Sequence, residues 1–298
     1  MNVLVTGANG FIGKWVAEHL AGRFDVTGVG TKDRATADIS GYVRWDMGHD
    51  DIPDVLLKNR WEAIVHIASH ISVDDLDPEL LYVNVVGTQK LMKICKETDC
   101  RIFILFSSLP IIGIPGREAV REQNFVDPPT MYHATKAMQE YMVKQLEKDG
   151  VRVVSIRIPS PIAPDMKKPT IFSIFCNRVL NGEDIVLNGR GTRRQNYIDV
   201  RDIAKATERF IVSPNAVGVY NIGSEKSVSN YELAEKCMEI AGNGKTRITF
   251  SGKDDPADSQ TWDVDLSRIK IDIGYKPEYP IERTIQDFMR QNKDINGK

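Results

Sequence analysis

Apolar residues follow two rhythms along the first 160 positions. Short, nearly unbroken Val/Ile/Leu runs at 2–6, 25–29, 42–45, 63–67, 102–106 and 151–158 alternate with longer stretches at 11–21, 80–96 and 131–146. In those longer stretches apolar side chains recur every three or four residues. Unbroken runs suit strands buried on both faces, and the three-to-four spacing suits amphipathic helices. Their alternation predicts an α/β fold, a doubly wound parallel Rossmann-type sheet with ligands at the carboxyl ends of its strands. Beyond Pro159 the texture changes. Pro159, Pro161, Pro164 and Pro169 punctuate a loop. Then come a helix expected at 171–180, a short strand at 184–187, a strand end entering a helix over 196–210, a strand at 218–222 and a helix at 231–241. The expected organisation is a domain over 1–160, joined by 194–222, with a smaller interleaved α+β lobe built from 161–193 and 223–298. Residues 291–298 are expected to fray.

Composition narrows the function classes. A chain of 298 residues can bury a large core, and 42% hydrophobic with 27% charged content is ordinary for a globular protein. A net charge of -2 offers no basic footprint, so no nucleic-acid partner is expected. No apolar run approaches the roughly 20 residues that span a bilayer, and the first one enters a glycine loop rather than a signal-peptide cleavage site. Cys95, Cys100, Cys176 and Cys237 show no paired spacing. They read as reduced core thiols of a cytoplasmic protein, with no metal site.

The strongest chemical signal is Thr6-Gly7-Ala8-Asn9-Gly10-Phe11-Ile12-Gly13, which follows a predicted strand and opens a predicted helix. Gly7 permits the tight turn, Gly10 a close backbone approach to a pyrophosphate, and Gly13 close packing of helix on strand. The helix amino terminus adds unpaired N–H groups and a positive dipole end. Gly7, Asn9, Gly10, Phe11, Ile12 and Gly13 are therefore candidate dinucleotide-binding residues, which makes 1–160 a dinucleotide-binding domain and the lobe substrate-binding.

The spacing TGxxGxxG resembles that of the extended short-chain dehydrogenase/reductase family, also called the NAD-dependent epimerase/dehydratase family, and the resemblance runs through nearly the whole chain. It implies an acidic residue at the end of the second strand in NAD enzymes and small or basic residues there in NADP enzymes. Gly30 stands at that position, followed by Thr31, Lys32, Asp33 and Arg34. Lys32 and Arg34 could clasp a 2′-phosphate, so the expected cofactor is NAD or NADP, with the turn leaning to NADP. Arg44-Trp45-Asp46-Met47 resembles the adenine-recognising segment. Ile67, Ala68 and Ser69 resemble the cofactor-lining strand end, where His66 reads as a packed strand histidine. Asn84 matches the family's helix asparagine, and Pro159 follows a strand that would also border the cofactor.

Tyr132-His133-Ala134-Thr135-Lys136 lies in a predicted helix, where spacing i, i+4 puts phenol and ammonium on one face. A tyrosine with an ordinary pKa near ~10 is a poor base at neutral pH, and a neighbouring ammonium with an oxidised nicotinamide would lower it. Ser108 ends the strand at 102–106 five residues before Gly113, matching the residue that orients the reacting oxygen in the family. The resemblance therefore implies Ser108, Tyr132 and Lys136 as the catalytic set. Two departures narrow it. Ile111-Ile112 replaces a usual Val-Tyr, and Leu109-Pro110 stands where the dehydratase subgroup carries an Asp-Glu pair, which disfavours 4,6-dehydration.

On the substrate side, Ser160 stands where an asparagine often contacts a nucleotide-sugar phosphate. The family's diphosphate-binding arginine aligns with Gln195, preceded by Arg193 and Arg194. A one-residue shift would let Arg194 serve. The expected function is hydride transfer between nicotinamide and C4 of a nucleotide-linked sugar, as an epimerase or a 4-ketoreductase. A reductase of a non-sugar carbonyl and a non-catalytic dinucleotide-binding regulator are the rivals. The resemblance further implies a homodimer through the helices that carry Asn84 and the Tyr132/Lys136 pair.

Overall fold

The computed structural model describes residues 1–116, 118–242 and 244–296. The first half alternates as its apolar rhythm requires. Strand β1 (Asn2–Thr6) leads to helix α1 (Gly13–Ala21), then β2 (Asp25–Gly30), β3 (Gly41–Arg44), the short α2 (Asp54–Lys58) and β4 (Ala63–His66). A continuous helix follows in three pieces: α3 (Glu79–Leu81), a π-helical turn (Tyr82–Val86) and α4 (Gly87–Glu97). Strand β5 (Ile102–Ser108), a 3-10 turn (Leu109–Ile112), α5 (Met131–Lys144) and β6 (Arg152–Ile158) complete this half.

The second half contains β7 (Ser160–Ile162), α6 (Ile171–Asn181), β8 (Ile185–Leu187), β9 (Arg194–Gln195), β10 (Tyr197–Asp199) and α7 (Val200–Val212). It ends with β11 (Gly218–Asn221), β12 (Val228–Ser229), α8 (Asn230–Ala241), β13 (Ile248–Phe250), α9 (Ser267–Ile273) and α10 (Ile281–Asn296). Helix α10 continues through the stretch expected to fray, and positions 297–298 of that stretch lie outside the described residues.

Seven strands form one parallel sheet in the order β11-β6-β5-β4-β1-β2-β3. The direction of strand succession reverses between β1 and β4, so a crevice opens beyond Thr6 and His66 at this switch point. Alternate residues of each strand serve opposite faces. Val3, Val5, Val65, Ile104 and Ile156 meet Val16, Leu20, Ile203 and Phe210 on one face. Leu4, Ile64, Phe103 and Leu105 meet Leu91, Ile94 and Val143 on the other. Both layers are dry, which is why these strands read as unbroken apolar runs.

A separate apolar cluster joins Phe172, Cys176, Val179, Leu187, Tyr197, Leu233, Cys237 and Phe288, with Phe11, Ile12 and Trp15 of the first helix and its approach packed against it. Residues 266–275, expected in the lobe, instead contribute Leu266, Ile269, Ile273 and Tyr275 to the sheet's own core. All four cysteines are buried and free. Among the described residues no helix is long and apolar enough to cross a membrane.

Candidate active site

A cleft of about 980 Å³ opens at the switch point, and its floor is the glycine loop. The Thr6 hydroxyl accepts the Ile67 and Ala68 N–H groups at 3.1 and 3.2 Å, tying the ends of β1 and β4 together. Gly7 has φ +70°, and a Cβ there would stand 2.8 Å from the Ala68 nitrogen. A Cβ on Gly13 would stand 1.9 Å from the Gly7 carbonyl oxygen. Strand, loop and helix thus meet backbone to backbone. No side chain caps the start of α1, which leaves its first turn open to an anion. Gly7, Asn9, Gly10, Phe11, Ile12 and Gly13 all line the cleft. This cradle, whose close backbone contacts a Cβ at Gly7 or Gly13 would break, fits a dinucleotide pyrophosphate.

At the adenosine end the loop after β2 is folded down by Asn9 of the glycine motif and by Tyr42, to which no motif pointed. Asn9 Nδ2 donates to the Arg34 carbonyl at 2.9 Å and to the Tyr42 hydroxyl at 3.0 Å, while its Oδ1 accepts the Thr36 N–H at 2.8 Å. The Tyr42 hydroxyl in turn donates to the Lys32 carbonyl at 2.9 Å. A Cβ at Gly30 would lie 2.9 Å from that hydroxyl, so Tyr42 occupies the space in which an acidic side chain would have to start. Thr31, Lys32, Asp46 and Met47 line the cleft. Arg34 stands outside this lining, with its backbone held by Asn9 and its side chain exposed. The Asp46 carboxylate accepts the Gly48 N–H at 3.0 Å.

At the far end Ser108 closes β5, and Thr130 starts α5 by accepting the His133 N–H on its hydroxyl, so Tyr132 and Lys136 project from the first turns. Ser108, Tyr132 and Lys136 line the same cleft as the glycine loop, with Ile67, Ala68, Ser69 and Pro159 between them. Lys136 is buried, and that burial pulls its pKa down to about 7, with Glu140 one turn on acting in the opposite sense. Burial raises the Tyr132 pKa, and a hydrogen bond with the Ser69 hydroxyl partly opposes the rise. The expected lowering combines the Lys136 ammonium with an oxidised nicotinamide; in the protein alone desolvation outweighs the polar contact and disfavours the phenolate.

The Ser107 hydroxyl is buried without a partner beside this set. Beneath it His66 is fully buried, held by the Thr6 and Thr88 hydroxyls at 2.8 and 2.9 Å, and desolvation lowers its pKa to about 3.

Asn84 supports the site from behind its wall. It does not line the cleft. Its Oδ1 accepts the His70 N–H at 2.8 Å, and its Nδ2 donates to the His70 carbonyl and to the Thr135 hydroxyl, each at 3.0 Å. It clamps the loop after β4 onto α5 from below, and so shapes the cleft without facing it. The π-helical turn at Tyr82–Val86 frees its carbonyl from the usual helical ladder, and Gln139 Nε2 and the Thr88 hydroxyl donate to it at 2.8 and 2.6 Å.

The expected phosphate-binding arginines are also turned elsewhere. Arg194 pairs with Glu232 at 2.9 Å and donates to the Ser227 carbonyl at 2.7 Å. Gln195 lies 3.0 Å from the Ser160 hydroxyl and 2.9 Å from the Arg193 guanidinium. Of these residues only Ser160 lines the cleft.

Lys168, Thr170 and Tyr197 line it instead, together with His70 and His133, none of which the motifs pointed to. Only His133 carried a signal, since it stands inside the Tyr132–Lys136 pentapeptide. The loop bearing Lys168 is strapped to α1, because the Asp165 carboxylate accepts from Trp15 Nε1 at 3.2 Å and pairs with the Lys14 ammonium. Pro110 lines the cleft, while Leu109 is buried with Ile111 and Trp262, so no carboxylate follows Ser108.

The model of the NAD dependent epimerase/dehydratase family matches residues 3–223. A dTDP-glucose 4,6-dehydratase of Streptomyces niveus is 26% identical over 93% of this chain and 88% of its own. The UDP-glucose 4-epimerase of Thermotoga maritima, solved with UDP-glucose, superposes with a TM-score of 0.86 at 20% identity, covering 99% of this chain and 100% of that one. The UDP-glucuronic acid 4-epimerase of Bacillus cereus, in complex with UDP-glucuronic acid and NAD, gives 0.83 at 22% identity over 98% and 100%. These two likenesses establish the fold.

Proposed function

We propose, from the premise that this chain belongs to the NAD dependent epimerase/dehydratase family, that it transfers hydride between a nicotinamide dinucleotide and C4 of a nucleotide-linked sugar. The observation that carries this is one cleft lined at one end by the glycine loop and at the other by Ser108, Tyr132 and Lys136. The sugars named for the relatives, all nucleotide-linked, support the substrate class. The bound dinucleotide supplies the hydride acceptor or donor, and in its oxidised form a positive charge. Tyr132 moves the proton at the sugar oxygen, Ser108 holds that oxygen by hydrogen bonding, and Lys136, whose pKa burial pulls down to about 7, holds the ribose and follows the charge on the phenol. Leu109-Pro110 supplies no acid for water loss, which favours epimerisation or ketone reduction over dehydration.

Between those two, the lack of an acidic side chain at Gly30 and the cleft-lining Lys32 favour a 2′-phosphate, hence NADPH and a 4-ketoreductase. Exposed Leu81, Tyr82, Met138 and Tyr141 on the two helical segments around the site support a homodimer through that face. The four free thiols support a cytoplasmic setting.

The test is turnover of UDP- and dTDP-linked 4-ketosugars with NADPH and NADH. A Tyr132→Phe variant is expected to lose about 10²–10⁴-fold in kcat with cofactor affinity retained. Turnover at the wild-type rate in that variant would remove Tyr132 from the chemistry.

A further inference from the structure

Chemistry at C4 needs one proton carrier, and the cleft holds more acid–base capacity than that. His70 lines it one residue after Ser69, whose hydroxyl touches Tyr132. His70 Nε2 lies 2.7 Å from Asp77 Oδ2, so the ring donates its one N–H to the carboxylate and leaves Nδ1 as a lone-pair base. The backbone on which the ring sits is fixed on both sides, its N–H and carbonyl both taken by the Asn84 amide at 2.8 and 3.0 Å. Asp77 is fixed as well, since its other oxygen accepts the Glu79 N–H at 3.0 Å. An imidazole held at Nε2 by a carboxylate, on a clamped backbone and lining a reaction cleft, is the arrangement of a general base. The position after Ser108 supplies no such group, because Leu109 and Pro110 fill it, and His70 shares the cleft wall with His133 and Glu79.

We propose that His70, positioned by Asp77, is a second acid–base group of the cleft and exchanges the carbon-bound proton next to the C4 carbonyl of the substrate. The inference rests on the C4 reading above, which supplies a ketone in the cleft. A ketone acidifies the C–H bonds on its neighbouring carbons. His70 Nδ1 takes that proton, the C–H electron pair moves into the C–C bond, and the carbonyl π pair moves onto oxygen to give an enolate. Tyr132 and Ser108 are placed to hydrogen-bond the enolate oxygen. The proton returns from the imidazolium to carbon, the carbonyl re-forms, and no electron leaves the substrate. In heavy water the imidazolium delivers deuterium instead. Asp77 acts through His70 and is a positioning residue.

The experiment supplies the ketone ready-made: the full chain with UDP- and dTDP-linked 4-keto-6-deoxyglucose in D₂O, with deuterium on the carbons beside C4 followed by proton NMR and mass spectrometry. Wild-type protein is expected to exchange at least tenfold faster than buffer, and His70→Gln to lose at least tenfold of that rate. Asp77→Asn should lose several-fold, with Asp77→Glu restoring part of it, which a merely structural loop residue would not do. Thermal melts establish that each variant is folded, and the Asp77 pair carries the test if His70→Gln is not. Wild-type exchange no faster than buffer, or an undiminished rate in folded His70→Gln or Asp77→Asn, overturns the proposal. NADPH oxidation by the same ketosugars is read in parallel, so that turnover without exchange sinks this inference alone, and exchange without NADPH oxidation sinks the 4-ketoreductase reading alone.

Discussion

The two ends of the cleft hold their polar groups in opposite ways. On the cofactor side, side chains are committed to backbone: Thr6 to Ile67 and Ala68, Asn9 to Arg34 and Thr36, Asn84 to both peptide groups of His70. On the substrate side, side chains are committed to one another: Arg193 to Gln195, Gln195 to Ser160, Arg194 to Glu232. The first arrangement builds a rigid cradle in which the ligand meets backbone and glycine. The second occupies polar groups that would otherwise face a ligand, and in Arg194 it also pairs a charge. A cationic residue near a site is therefore no measure of a cationic site, because its partner can lie 38 positions away, as Glu232 does from Arg194.

The contrast can be broken most sharply at Gly13. A Gly13→Ala change forces a methyl to 1.9 Å from the Gly7 carbonyl oxygen, so the loop must move. Dinucleotide affinity should fall by a hundredfold or more, about 3 kcal/mol, in a fluorescence or calorimetric titration. A change below threefold would place the pyrophosphate elsewhere.

The next effect comes from His66, the buried imidazole under the cradle. Its folded pKa of about 3 lies below the ordinary value of 6.5, so between those limits the unfolded chain binds a proton that the folded chain does not. Stability then rises with pH through this window and is lost on acidification. Moving from pH 6.5 to 4.5 should remove about 2–3 kcal/mol by this route. His66→Gln should shrink the acid-induced drop in Tm, and an unchanged drop would assign the sensitivity to other groups.

The smallest effects sharpen the substrate side. Arg194→Ala should cost about 1 kcal/mol of stability and leave the KM for a nucleotide-linked ketosugar within about twofold, because its pair with Glu232 is partly exposed and points away from the cleft. Lys168→Ala, which removes a cleft-lining cation, should raise that KM by roughly tenfold, about the 1.4 kcal/mol of one charge-assisted contact. The reverse ranking in steady-state kinetics would restore Arg194 as the phosphate ligand.

What could be read from the chain follows the same division. Strands β1, β2, β4, β5 and β6 were legible because double-sided burial forces an unbroken apolar run, and the glycine loop because backbone contact at Gly7 and Gly13 admits no other residue. Ser108, Tyr132 and Lys136 were legible because their helix and strand fix their spacing. Helix α10 was missed although Ile281, Ile285, Phe288 and Met289 have helical spacing, since the charged residues between them hide the stripe. The contacts of Arg34, Asn84 and Arg194 were not legible, because each is made with a segment remote in the chain. Tyr42 is the clearest case. It fills the space beside Gly30 from the neighbouring strand, and nothing in its own local pattern says so.

The strap from Lys14 and Trp15 to Asp165 has a thermodynamic consequence. Helix α1 presents its first turn to the dinucleotide site and its side chains to the loop that carries Lys168, so one rigid body borders both ligands. If either ligand shifts that helix or that loop, the factor by which it alters the other's affinity must be returned in full when the order of binding is reversed. Cofactor titrations with and without a sugar nucleotide, compared with the converse pair, would measure the strap as a single coupling constant.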